Sequence, residues 1–116
     1  MNGSGGPVEV QELTPSQLKQ RLDTGEPLIL IDVREPYEWT IANLEPHGAQ
    51  LIPLAELPER MASLDPDADI VVYCRSGGRS EAAARHLRAN GFASVYNLRG
   101  GINAWAREVD PELAVY

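Results

Sequence analysis

The chain has 116 residues, 43% of them hydrophobic, with a formal net charge of −7 and a single cysteine. That length fits one domain able to bury a core without disulfides or a structural metal. The acidic balance argues against a nucleic-acid or anionic-membrane surface, which needs a basic face. A lone cysteine excludes an internal disulfide and a cysteine-rich zinc site, and His47 and His86 lie far apart with no ligand spacing, so they read as surface histidines and neither metal nor cofactor is expected.

No apolar run approaches the length of a membrane span, and Met1–Pro7 lacks the charged and apolar regions of a secretory signal. A cytoplasmic, reducing location is expected. Residues 1–7 have the composition of a flexible linker, which leaves 8–116 as the folded domain.

Val8 to Gln11 is expected to form a first strand. Thr14, Pro15, Ser16 and Gln17 then read as a helix start, with a hydroxyl cap, proline at the first helical position and a glutamine completing a capping box. Leu13 and Leu18 are placed to form a hydrophobic staple, and Gly25 ends the helix. Leu28 to Ile31 is a continuous apolar run, as in a strand covered on both faces. Asp32 and Arg34 follow it. Pro36 to Ala42 suits a short helix with Trp39 and Ile41 in the core, and Arg34 and Glu38 are spaced to pair with each other. A weaker strand is expected at Gln50 to Ile52 and a helix at Leu57 to Leu64, with Asp65, Pro66 and Asp67 as a solvated turn.

Ile70 to Tyr73 is a strand of four β-formers, and Cys74, Arg75, Ser76, Gly77, Gly78, Arg79 and Ser80 follow it directly. A helix from Glu81 to Asn90 comes next, closed by a left-handed Gly91 with Phe92 folding back on Leu87. Val95 to Leu98 reads as a fifth strand, and Gly100 and Gly101 open a short helix from Ile102 to Arg107 with Trp105 in the core. Alternating strands and helices define an α/β fold with a parallel, helix-covered sheet, whose sites form beyond the carboxyl ends of the strands. Asp32 and Arg34, Cys74 to Ser80, and Arg99 to Gly101 share that rim.

A lone cysteine is usually a small buried hydrophobe. Two glycines and two arginines behind it argue instead for a nucleophile. Amides at the start of a helix, together with the positive end of its dipole and nearby arginines, lower a thiol's pKa below the free value of about 8.5. Gly77 and Gly78 can take positive φ cheaply, so that successive N–H groups turn inward as an anion-binding nest. Arg79 reads equally well as an anion-steering group or as a helix-start salt bridge, and Asp32 as a turn cap or a group facing the site.

Ile31–Glu35, Gly48 with Ala49, Ile52 with Pro53, the cysteine loop, and Gly100–Ile102 with Trp105 together resemble the rhodanese-like sulfurtransferase domain. That resemblance implies a single domain with a five-stranded parallel sheet flanked by helices on both faces. It also implies that Cys74 carries sulfane sulfur as a persulfide, within a six-residue loop from Cys74 to Arg79. Related phosphatases have five residues between cysteine and arginine; here four intervene and Ser80 occupies the next position, which argues against phosphatase chemistry. The segment from Asn43 to His47 departs from the family pattern as a small insertion. From Gly100 to Pro111 the chain is similar to the end of the rhodanese domain fused to sulfur-carrier adenylyltransferases of the molybdopterin and thiamine pathways.

The implied reaction draws sulfur from thiosulfate or a protein persulfide and passes it to an acceptor such as an adenylated ubiquitin-like sulfur carrier. Arg75 to Ser80 would hold the charged sulfur, with Asp32, Arg34 and Arg99 as candidate rim residues. A free-standing thiosulfate to cyanide or thiol transferase is the second reading. A non-catalytic binding module with the same fold is the third, disfavoured by the retained cysteine.

Overall fold

The structure, a computed structural model, describes residues 9–116. The proposed linker at 1–7 and the expected strand residue Val8 lie outside them. Five strands form one sheet: β1 (Gln11–Leu13), β2 (Ile29–Asp32), β3 (Gln50–Leu51), β4 (Asp69–Tyr73) and β5 (Ser94–Leu98). Their spatial order is β1-β5-β4-β2-β3, and every pairing is parallel. Helices α1 (Pro15–Asp23), α2 (Pro36–Trp39), α3 (Leu57–Arg60), α4 (Gly78–Ala89) and α5 (Gly101–Glu108) connect and cover it.

The strand period of two divides the core into two layers. Ile31, Ile70, Val72 and Val95 face one side, where they meet Leu57 of α3 and Ala83, Ala84 and Leu87 of α4. Leu30, Val71, Tyr73 and Leu98 face the other, against Leu18 of α1 and Ile102 and Trp105 of α5. Both layers are closed to water, which is why the central strands read as unbroken apolar runs.

Several local expectations hold. Thr14 and Gln17 form the reciprocal capping box, and Leu13 and Leu18 share one apolar cluster. Gly91 has φ +93°, and the Phe92 N–H donates to the Leu87 carbonyl. Others shift. The first strand runs over Gln11–Leu13, because parallel pairing with Tyr96–Leu98 selects those residues. The helix expected from Leu57 to Leu64 is α-helical only to Arg60 and tightens into a 3₁₀ turn at Met61–Ser63. Helix α2 stops at Trp39, so Ile41 falls beyond it and is 44% exposed instead of entering the core. The departure at Asn43–His47 folds as a 3₁₀ turn at Glu45–His47, closed by a left-handed Gly48.

Candidate active site: a sulfur at the mouth of a strand–helix turn

Cys74 follows β4 directly, and α4 begins four residues later at Gly78. The thiol is 1% exposed, at the floor of the loop. Gly77 takes φ +114° as the residue capping α4. This left-handed step turns its N–H onto the sulfur at 3.1 Å, a conformation that L side chains resist. Gly78, by contrast, is helical, so only the first glycine of the pair supplies the positive φ. The Ser80 N–H reaches the same sulfur at 3.4 Å from the first turn of α4, and the Ser80 hydroxyl lies 3.3 Å away.

The opposite side of the loop fixes the peptides on either side of Arg75. The N–H of Ile102 donates to the Cys74 carbonyl and that of Asn103 to the Arg75 carbonyl. Both donors belong to the first turn of α5, whose amides have no partner within their own helix. In a trans peptide the N–H points opposite to the C=O, so holding these two carbonyls outward turns the N–H groups of Arg75 and Ser76 inward, and the Ser76 N–H is one of those that act on the sulfur. The approach is close enough that a Cβ on Gly101, itself at φ +65°, would sit 2.4 Å from the Arg75 carbonyl oxygen. Gly101 therefore holds the loop from behind.

These contacts set the electrostatics of Cys74. Burial opposes ionisation, but hydrogen bonds from the Ser80 hydroxyl and from the N–H groups of Ser80, Gly77 and Ser76 outweigh it, and the thiol pKa is lowered. A thiolate at this position is what a nucleophile requires.

The arginines have other partners. Arg79 donates to both oxygens of Glu38, at 2.8 and 2.9 Å, in a two-pronged ion pair. The guanidinium, with burial opposing it and lesser help from other groups including the Tyr116 hydroxyl, holds the Glu38 carboxyl down at about 2. Glu38 thus pairs with Arg79 and not, as its spacing suggested, with Arg34. Arg75 is exposed; its Nε donates to the Tyr116 main-chain oxygen at 2.6 Å and its guanidinium lies over the Tyr116 ring.

Asp32 and Arg34 are fully buried. The Asp32 carboxylate accepts from the Arg34 backbone N–H and guanidinium, which makes it the cap of its own turn. Arg34 also donates to the Ala42 carbonyl and the Tyr116 hydroxyl. Arg99, at the end of β5, is exposed and donates to Glu12 of β1 at 3.0 Å. Cys74 and the residues from Arg75 to Ser80 therefore form one constellation, while Asp32, Arg34 and Arg99 support its surroundings without contacting the sulfur.

Three residues close to the site take partners that the sequence reading does not give. Glu38 was assigned to the wrong arginine. Tyr116 joins Arg34, Glu38, Arg75 and Asn103 from 13 to 82 positions away, a separation that no local pattern encodes. Asn97 is a buried polar residue on the inward face of β5, and a polar residue in the run Ser94–Leu98 was the available signal. Among the described residues no group of three or more His, Cys, Asp or Glu side chains is arranged to hold a metal, and no helix is long and apolar enough to cross a membrane.

The architecture and the sulfur-centred loop define the class: the chain belongs to the rhodanese-like domain family, whose sequence profile matches residues 14–108. It is 42% identical over 106 residues to the probable adenylyltransferase/sulfurtransferase MoeZ of Mycobacterium tuberculosis, covering 90% of this chain and 26% of that protein. It is 43% identical over 105 residues to a sulfurtransferase of Allochromatium vinosum, covering 90% of this chain and 96% of the relative. Among solved structures, a rhodanese-like domain protein from Staphylococcus aureus superposes with a TM-score of 0.78 at 28% identity, over 92% of this chain and 99% of the other. The chain thus matches both a segment of a longer protein and a nearly whole small one.

Proposed function

We propose that the chain is a sulfurtransferase that carries sulfane sulfur as a persulfide on Cys74. The observation that carries this reading is the convergence of the Gly77 and Ser80 amides on one buried sulfur whose pKa is lowered. The Cys74 thiolate attacks the outer sulfur of a donor, a new S–S bond forms, and the donor's remainder departs with the electron pair of the broken bond. With thiosulfate the leaving group is sulfite; with a protein persulfide it is a thiolate. The outer sulfur now bears the negative charge, which loop amides preorganised around the site stabilise. A nucleophilic acceptor such as cyanide or a small thiol takes that sulfur directly and Cys74 leaves as a thiolate, whereas an activated acyl acceptor is itself attacked by the outer sulfur.

The acceptor favoured by the likeness to the adenylyltransferase relatives is the adenylated end of a ubiquitin-like sulfur carrier. The persulfide's outer sulfur attacks the acyl carbon and AMP departs. The resulting acyl disulfide needs a thiol reductant to release the thiocarboxylate, and because Cys74 is the one cysteine of these 116 residues that thiol comes from outside them. Residues 1–7 would tether the domain near such a partner, raising the local persulfide concentration, in a reducing compartment that keeps Cys74 free. The likeness over nearly the whole length of the Allochromatium vinosum protein favours a second reading, a free-standing transferase acting on cyanide or a small thiol.

The test combines persulfidated protein, adenylated carrier, an adenylyltransferase and a thiol reductant, and weighs the carrier. A C-terminal thiocarboxylate is expected. No sulfur on the carrier, alongside brisk turnover with cyanide, would replace the first acceptor with the second.

A further inference from the structure

Asn97 lies outside the cysteine loop, yet its side chain reaches Gly77 and Ser80, two of the residues whose amides meet the sulfur. It is 2% exposed on β5, opposite Val72 of β4 in the parallel register. Its Nδ2 donates to the Gly77 carbonyl at 3.1 Å and faces Glu12 Oε2 at 3.4 Å. Both of those groups can only accept, which fixes the amide's orientation and leaves Oδ1 toward Ser80. The Ser80 hydroxyl then donates to Oδ1 at 2.5 Å.

A serine hydroxyl has one proton. The same Oγ lies 3.3 Å from the Cys74 sulfur and 3.3 Å from the Gly77 carbonyl oxygen, so the amide oxygen, the carbonyl and a sulfur anion compete for that one proton. The geometry points to Asn97 as a positioning residue that competes with Cys74 for the hydroxyl proton of Ser80. While the sulfur is a thiol, Ser80 donates to Asn97 and its lone pair faces the S–H. Once the thiol proton has left for solvent, the hydroxyl turns to the thiolate and Oδ1 loses its donor. When a persulfide moves the charge to the outer sulfur, the hydroxyl returns to Asn97. This inference rests on the reading of Cys74 as a thiolate nucleophile, and it makes the amide a restraint on the resting charge of the sulfur.

The charged groups around this chain of contacts are Arg79 with Glu38, Arg75 at the loop, and Glu12 with Arg99 behind Asn97. The test leaves all of them in place. Asn97→Leu keeps the approximate shape and removes the amide acceptor, which leaves the anionic thiolate to outcompete the neutral Gly77 carbonyl for the Ser80 proton. The rate of Cys74 alkylation by iodoacetamide is followed against pH in wild type, Asn97→Leu, Ser80→Ala and the double variant. A lone hydrogen bond to an anion supports a downward shift of the midpoint by about half a pH unit in Asn97→Leu. That shift should vanish when Ser80 is already alanine, since neighbours acting through one group are non-additive. An unchanged or raised midpoint in folded Asn97→Leu, or the same shift without Ser80, would overturn the inference. Circular dichroism reports folding, and if the leucine variant unfolds, Asn97→Ser carries the same comparison because its shorter side chain does not reach Ser80. Alkylation needs no sulfur donor, so a wild-type protein that fails to accept sulfur would contradict the proposed function without deciding the role of Asn97.

Discussion

Two turns at the same edge of the sheet follow neighbouring strands and use charge in opposite ways. After β2, Asp32 and Arg34 are buried and satisfy each other, with remaining guanidinium contacts going to Ala42 and Tyr116. After β4, one sulfur collects the Gly77 and Ser80 amides and the Ser80 hydroxyl, and among the described residues no counter-ion is bonded to it. The first arrangement is internally closed: every strong donor already has its acceptor. The second is not closed in this way, and on the proposed function its amides follow a negative charge that moves from the cysteine sulfur to an atom bound beside it. Position at the carboxyl end of a parallel strand is common to both, and only the second aims backbone dipoles at a cysteine sulfur.

Substitutions can separate the two turns. Cys74→Ser should reduce sulfur transfer to background, read by product formation, while the melting temperature stays near wild type because the replacement is small. Asp32→Ala leaves the Arg34 guanidinium buried without its carboxylate, and breaking such a pair costs about 3–5 kcal/mol, measurable by denaturant titration. In the fraction that remains folded, the pH midpoint of Cys74 alkylation should be unchanged. If that midpoint moves as far as stability falls, the two turns are not independent.

Gly101→Ala joins the effects that the preceding pair keeps apart. Its Cβ would collide with the Arg75 carbonyl oxygen at 2.4 Å, so either α5 or the loop must shift. We expect a loss of about 1–3 kcal/mol and, unlike Asp32→Ala, slower alkylation of Cys74 at neutral pH. Normal alkylation in a destabilised Gly101→Ala protein would show that α5 supports the fold without aiming the loop.

The smallest effect concerns acid. Glu38 has its carboxyl lowered from 4.5 to about 2 by Arg79, so the folded state binds its proton less tightly than the unfolded chain does. Its contribution to stability is complete above about pH 4.5 and is lost as pH falls toward 2. Glu38→Gln should flatten that part of the stability profile, followed by denaturant titration between those pH values. The same acid slope in the variant would assign the loss to other carboxylates.

Much of this architecture is legible locally. Unbroken apolar runs mark the buried parallel strands, the Thr14 capping box marks α1, and a cysteine between a strand and a glycine-rich helix start marks the site. What is not legible depends on which chemically equivalent partner wins in space. Arg34 had Glu38 one helical turn away, but Asp32 meets it from the same strand end, and Glu38 is thereby left for Arg79 across 41 positions. The part played by Gly101 required the helix behind the loop, since a double glycine alone does not say which carbonyls it approaches. Ile41 was misplaced because α2 ends two residues before it.

The central claim, that Cys74 accepts sulfane sulfur, is tested most directly by the intact mass of the protein after exposure to thiosulfate and, separately, to a small-molecule persulfide. Wild type should gain one sulfur atom from at least one donor, lose it to cyanide or excess thiol, and gain none as Cys74→Ser. An unchanged wild-type mass with both donors, or an equal gain in Cys74→Ser, would contradict the account.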